Sequence, residues 1–125
     1  MPEVLYSDEF VELQEEVLVI KRYFFPMLKP KVVRVRDIRV LYFDDQTNCK
    51  YTVRRTWGKA PEADTYWAVD FKRCLPGDKA GKYNVIVDIE DGLKKGFTVH
   101  DVQNFLQALR VVASMSLIVV DNLDV

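Results

Sequence analysis

The chain has 125 residues, of which 49% are hydrophobic, enough apolar sequence to build the core of one domain. Its 18 lysines and arginines nearly balance 19 aspartates and glutamates, and the net charge of −1 argues against a dedicated nucleic-acid-binding protein. Cys49 and Cys74 form neither a metal-binding motif nor a disulfide framework, which favours a reducing compartment. The first residues lack the build of a signal peptide and no apolar run could span a membrane, so we expect a soluble, cytoplasmic protein.

The first quarter of the sequence has the pattern of a β-hairpin. Residues 10–13 and 17–24 are rich in apolar and β-branched side chains, and the polar residues 14–16 separate them. Pro26 and Pro30 follow, and two prolines so close together exclude a central strand between them.

The middle of the sequence predicts further strands. Within residues 32–43 the apolar positions change from odd to even numbers, which predicts a bulge or bend near residues 36–37. Residues 44–48 are typical of a turn, and residues 51–57 and 66–71 read as the next two strands. After a long loop, residues 83–89 alternate between apolar and polar side chains, which predicts a half-buried strand.

One amphipathic helix is predicted after these strands, from about Thr98 to Ala113. Thr98 occupies the N-cap position of this prediction, and Phe97 and Val102 would form a hydrophobic staple around it. We expect the apolar stripe of the helix to pack on a sheet and to bury Val102, Phe105 or Leu106, and Leu109.

An apolar tail follows the helix from about residue 114. Leu117, Ile118, Val119 and Val120 are too apolar for a free terminus, and three of them are β-branched. We expect this segment to pack in an extended form, as an edge strand of its own sheet or against a second copy, and its alternative is a continuation of the helix. No linker or repeat divides the sequence, so residues 1–125 are expected to form a single domain.

Short antiparallel strands followed by one amphipathic helix resemble the pleckstrin-homology-like (PH-like) barrel. The segments that carry the resemblance are Lys21–Pro26, Val35–Ile38, Arg55–Gly58 and Gly96–Val99. It implies a mainly β (α+β) fold: a split β-barrel of six to seven antiparallel strands, with two nearly orthogonal sheets and a C-terminal helix that caps one open end. The resemblance does not imply one activity, because this fold hosts lipid-binding, peptide-binding and purely structural members.

The sequence offers little chemistry for catalysis or metal binding. His100 is the only histidine, and no recognisable motif joins it to a nucleophile or a carboxylate. Asp44 and Asp45 lack the glycine and glutamate spacing of a calcium loop, and no glycine-rich phosphate-binding motif is present. We therefore expect a protein that is not an enzyme and that binds no metal or cofactor.

Basic residues cluster after an acidic N-terminal segment. Lys21, Arg22, Lys29 and Lys31 flank a loop comparable to the one at which bases hold headgroup phosphates in phosphoinositide-binding PH domains. In the alternative that we favour, the acidic and basic segments are neighbouring strands whose charges pair and cancel.

These patterns favour a non-catalytic binding or scaffolding module. Its partner would be a protein or a second copy of the chain, bound through an exposed sheet edge, the tail or the apolar tip of the loop. The candidate interaction residues are Met27, Leu28, Leu117, Ile118 and Val119. The alternatives are weak binding of anionic phospholipid headgroups at the basic loop and, least favoured, an unrecognised enzyme.

Overall fold

The computed structural model describes residues 3–24, 26–45, 57–59, 64–70, 73 and 82–121. Within these residues the chain is mainly β, with nine strands in two sheets and one α-helix. The strands are β1 (Val4–Ser7), β2 (Val11–Gln14), β3 (Val17–Phe24), β4 (Lys29–Arg34), β5 (Val40–Asp45), β6 (Thr65–Trp67), β7 (Tyr83–Asp88), β8 (Lys94–Val99) and β9 (Ile118–Val120), and the helix α1 spans Val102–Val112. No helix in the described part is long and apolar enough to cross a membrane.

The first sheet is an antiparallel meander in the order β1-β2-β3-β4. The predicted hairpin is confirmed as β2 and β3. Pro30 lies inside β4, which is an edge strand of this sheet. An edge strand tolerates proline, which has no N–H to donate. The prediction that no central strand contains the two prolines is therefore also confirmed.

The predicted break near residues 36–37 is confirmed as the point where the chain leaves one sheet for the other. A single 3₁₀ turn, Val35–Asp37, joins β4 to β5. The second sheet has the order β6-β8-β7-β5-β9. Among the described residues, no strand pairing joins the two sheets into one closed barrel.

The prediction of six to seven strands, all antiparallel, is wrong in number and in two pairings. The β5–β9 and β6–β8 pairs are parallel. The number is higher because β1 and β8 were not predicted as strands and the tail was not counted among the six to seven. The outer strands β6 and β9 have three residues each, too few for the sequence to indicate whether they pair parallel or antiparallel. The predicted turn at 44–48 begins inside β5, and the rest of that turn lies outside the described residues, as does most of the predicted strand at 51–57.

One hydrophobic core lies between the two sheets and the helix. Leu18 and Ile20 of β3, Val85 and Val87 of β7 and the helix residue Phe105 are buried in it. As predicted, Val102, Phe105 and Leu109 are the buried residues of α1, whereas Leu106 is only half-buried. The Phe105 ring meets Tyr6 of β1 and Phe97 of β8 edge-on, with centroid distances of 5.4 and 6.0 Å, so it contacts both sheets.

The helix starts three residues later than the sequence predicts. Its N-cap is Asp101, whose side chain accepts a hydrogen bond from the Asn104 N–H, and Thr98 is a buried residue of β8. The strand continues because β8 pairs with β7 as far as Val99. Pairing with a distant strand therefore overrides a local capping pattern at Thr98, and the staple predicted around that cap is wrong with it.

Candidate functional site

Asp8, in the turn between β1 and β2, fixes the start of α1 against the first sheet. One carboxylate oxygen accepts from the backbone N–H groups of Phe10 and Val11, at 2.7 and 3.0 Å. The other accepts from the backbone N–H of His100 at 2.9 Å and from the Tyr6 hydroxyl at 2.5 Å. Burial, followed by the bond to Asp8, raises the pKa of Tyr6. Together with the Tyr6 hydroxyl, which accepts from the Asp101 N–H at 3.1 Å, this carboxylate joins the backbone just before α1 to the N-terminal strands.

The tail forms β9, an edge strand of the second sheet, which is one of the alternatives expected for it. It runs parallel to β5, and the Ile118 N–H donates to the Arg39 carbonyl at 3.0 Å. Because successive residues of a strand direct their backbone groups to opposite sides, the N–H and C=O of Val119 point away from β5. Within the described residues, no strand pairs with this outer side of β9.

Four apolar side chains line one face of the sheet beside this open edge. Val40 pairs with Ile118 and Tyr42 pairs with Val120, so all four project from the same face. Ile118 is 57% exposed and the other three are half-buried. We call these residues the edge strip (Val40, Tyr42, Ile118, Val120).

The candidate tail residues divide between the two faces of β9. Leu117 and Val119 pack against the protein's own core, and their side chains are half-buried there. Of the predicted interaction residues in the tail, only Ile118 presents its side chain on the outer face. Val119 contributes its backbone to the open edge instead.

The other sheet edges carry charges, a proline, irregular pairing or a backbone partner, whereas, within the described part of the chain, the only protection of β9 is its length of three residues. The edge strand β4 contains Lys29, Pro30 and Lys31, and β1 is irregular between Val4 and Tyr6. The outer side of β6 is met by Gly58, which exchanges two backbone hydrogen bonds of 2.8 Å with Trp67. Charges, prolines and irregular pairing commonly protect an edge strand from the addition of another strand. The sequence of β9, Ile-Val-Val, contains neither a charge nor a proline.

Opposite charges mark the two ends of the β5–β9 pair. Arg39 is exposed immediately before β5. Asp44 and Asp45 end β5, and Asp121 follows β9 at the same end of the pair. Burial, followed by the charges of these three aspartates, raises the pKa of Tyr83, which faces Asp45 across β5 and β7.

A second apolar surface lies at the turn between β3 and β4. Phe24, Met27 and Leu28 are 42%, 70% and 39% exposed, and we call them the hairpin tip. Leu28 has a φ of +55°, and its N–H donates to the Phe24 carbonyl at 2.5 Å. A leucine in this left-handed conformation costs roughly 1–2 kcal/mol, so the turn holds an exposed apolar side chain in a strained position.

Two of the four predicted anion-binding residues, Lys21 and Arg22, are engaged by groups of the acidic N-terminal segment. The Lys21 ammonium donates to the Asp8 carbonyl at 2.8 Å, and Arg22 forms a 3.1 Å ion pair with Glu9. Lys29 and Lys31 lie on β4, exposed and half-exposed. The acidic and basic segments are neighbouring strands, and the Arg22–Glu9 pair joins them as the favoured alternative predicts.

A buried polar cluster lies on the far face of the second sheet, and the sequence did not predict it. The Arg73 guanidinium donates to Asn84 at 3.0 Å, to Thr98 at 3.1 Å and to the Ala68 carbonyl at 3.2 Å. Thr98 donates to Asp70 at 2.8 Å. Burial lowers the pKa of Arg73 to about 10, and the nearby Asp70 opposes that shift. The side-chain partners of Arg73, Asn84 and Thr98, lie 11 and 25 residues away along the chain, so no local motif points to this cluster.

A shallow cleft of about 470 Å³ lies between the β2–β3 turn, the 3₁₀ turn and the end of α1. It is lined by Glu15, Glu16, Val17, Arg34, Val35, Arg36 and Val112. Two acids and two bases share its wall, so the lining does not select one charge of ligand.

No protein-family model, curated protein or solved structure matches this chain.

Proposed function

We propose that this chain is a non-catalytic, cytoplasmic binding module that binds protein by adding a strand to β9. The observation that carries the proposal is the outer side of β9, with which no strand of the described residues pairs. The strand has no proline, charge or bulge and lies beside the edge strip. The added strand would belong to a partner protein or to another copy of the chain. Strand addition is a recurrent mode of peptide recognition, in which backbone hydrogen bonds give affinity and alternate side chains give specificity.

The short length of β9 limits the affinity that we expect for an added strand. Val119 offers one N–H and one C=O, and Ile118 and Val120 offer apolar contacts on one face. A three-residue strand buries far less than the roughly 1,600 Å² of a standard stable interface. We therefore expect binding in the micromolar to millimolar range rather than an obligate complex.

Amide NMR tests this proposal with a capped synthetic heptapeptide of alternating threonine and valine. We expect saturable shifts of the Val119 amide and its β9 neighbours, and none along the protected edge β4. Val119→Pro removes the outward N–H and should abolish the shifts, while the matched control Val119→Thr keeps the N–H and should retain them. Shifts that are absent from β9 at millimolar peptide would contradict the proposal.

We also propose the PH-like interpretation of the fold. The antiparallel four-stranded meander, the antiparallel neighbours β5, β7 and β8, and the helix that follows them support it. The parallel edge strands β6 and β9 are additions that the resemblance does not imply.

A second candidate function is weak binding to an anionic membrane surface, and the hairpin tip favours it. Met27 and Leu28 are exposed beside Lys29, with Lys31 two residues further along β4. Each base close to an anionic surface contributes about 1 kcal/mol, and the apolar tip could enter the interfacial region. Lys21 and Arg22 contribute less, because their side chains are engaged with Asp8 and Glu9.

Vesicle sedimentation tests the second candidate, with neutral vesicles and vesicles containing phosphatidylserine at low and high salt. We expect binding to the anionic vesicles at low salt only, and its loss in the Lys29→Glu/Lys31→Glu double variant. The control, Arg36→Glu/Arg110→Glu, changes the net charge equally at exposed positions elsewhere. Wild-type protein that does not sediment with anionic vesicles at low salt would exclude this candidate.

A further inference from the structure

We infer that the strand received by β9 is β9 of a second copy, antiparallel to the first, so that a symmetric dimer extends the second sheet across a twofold axis. This inference rests on the proposed strand addition and names its partner. An interface around a twofold axis must be complementary to itself, and three features of β9 and its surroundings meet that requirement.

The first feature is the backbone of Val119. An antiparallel arrangement centred on this residue places its outward N–H and C=O opposite the same groups of the other copy. The two residues can then exchange both hydrogen bonds, as a hydrogen-bonded pair of an antiparallel ladder does.

The second feature is the edge strip. With Val119 at the centre, Ile118 of each copy lies opposite Val120 of the other, on the face that also carries Val40 and Tyr42. Two β-branched side chains at such a position are a favourable cross-strand pair. The two strips would join into one apolar surface and cover Ile118, which is 57% exposed in the single chain.

The third feature is the opposite charge at the two ends of the β5–β9 pair. The antiparallel arrangement brings Arg39, at the start of one β5–β9 pair, to the end of the other pair, where Asp121 follows β9. Asp44 and Asp45 lie at that acidic end too. A parallel arrangement would bring acidic ends together, so these charges favour a second copy in the antiparallel orientation.

Charge reversal with analytical ultracentrifugation tests the arrangement. The wild-type chain should dimerise at high micromolar concentration, and Arg39→Glu and Asp121→Lys should each weaken the dimer about tenfold at low salt, because each change creates two repulsive contacts. An equimolar mixture of the two variants should restore dimerisation. The mixed dimer would pair the introduced glutamate with the introduced lysine, and the native Arg39 with the native Asp121.

Two further variants separate the possible outcomes. Arg110→Glu, an exposed reversal on α1, should leave the dimer unchanged, and Val119→Pro should remove it. A dimer that persists in Val119→Pro, or a mixture that stays as weak as its components, would overturn the inference. A wild-type chain that remains monomeric while the heptapeptide still shifts Val119 would overturn the dimer and leave the proposed function standing. The absence of both effects would refute both.

Discussion

Replacement of Asp8 by alanine should destabilise the fold more than any other single change of a half-exposed polar side chain described above. The carboxylate accepts four hydrogen bonds, three from backbone N–H groups and one from the Tyr6 hydroxyl. It also binds the backbone N–H of His100, two residues before α1, and so joins the segment that leads into the helix to the first sheet. Its loss would therefore affect local turn geometry and long-range packing together.

The expected loss of stability in Asp8→Ala follows from the hydrogen bonds that the carboxylate accepts. A hydrogen bond to a charged group contributes about 1.5–3 kcal/mol, and a donor that water reaches after the substitution recovers part of that loss. Because Asp8 is half-exposed, we expect water to reach some of the donors and the free energy of unfolding to fall by about 3–4 kcal/mol. Asp8→Asn keeps one acceptor oxygen and should cost about half as much.

Urea denaturation followed by tryptophan fluorescence measures these changes. Glu15→Ala, an exposed acid in the β2–β3 turn, is the control and should change the free energy of unfolding by less than about 0.5 kcal/mol. A double-mutant cycle with Tyr6→Phe should show a coupling of about 0.5–3 kcal/mol. If Asp8→Ala costs no more than Glu15→Ala, the assigned role of this carboxylate is wrong.

Three more outcomes are expected from the fold. Phe105→Ala should lower the free energy of unfolding, measured by urea denaturation, by about 3–5 kcal/mol. The control Val111→Ala, at a side chain that is 80% exposed, should change it by less than about 0.5 kcal/mol, and equal effects of the two substitutions would contradict the described core. Gly96→Ala should lower the melting temperature and shift the tryptophan emission, because the added carbon would overlap the Trp67 ring, and an unchanged melt would contradict this close packing. Burial acts to raise the pKa of Asp91, but hydrogen bonds from a buried lysine and a backbone N–H outweigh it and lower this pKa. Asp91 therefore stabilises the fold above about pH 4, and this contribution is lost as the pH falls through the lowered pKa, so the stability difference from Asp91→Asn should shrink in an acid titration.

The elements that the sequence predicted well are those with a strong local pattern. The buried residues of α1 follow from the spacing of its apolar stripe, and the extended form of the tail follows from Ile118, Val119 and Val120. The open edge of β9 lies within the segment that the sequence marked for interaction. Which of those residues would face outward could not be predicted, because that depends on how β9 pairs with β5.

The features that the sequence did not predict are set by distant partners. Residues 94–99 contain only a few apolar side chains, and Thr98 has the sequence context of a helix N-cap. The local pattern alone therefore favours the start of a helix rather than the strand β8. Asn84 to Val87 are buried on both faces of β7, whereas the alternating pattern predicted only one buried face. The sequence favoured pairing of the basic and acidic segments but could not name the partners, which are the Asp8 carbonyl for Lys21 and Glu9 for Arg22.

The dependence of the first strands on α1 has a consequence for synthesis on the ribosome. The meander β1–β4 emerges early, yet its apolar face packs on β7, β8 and α1, which are among the last elements to be made. At about 5–20 residues per second, the interval before its cover is available is several seconds. During that interval the Leu18 and Ile20 side chains lack their final neighbours, so a nascent chain stalled before α1 should be sensitive to protease and should bind chaperones that recognise exposed apolar strands.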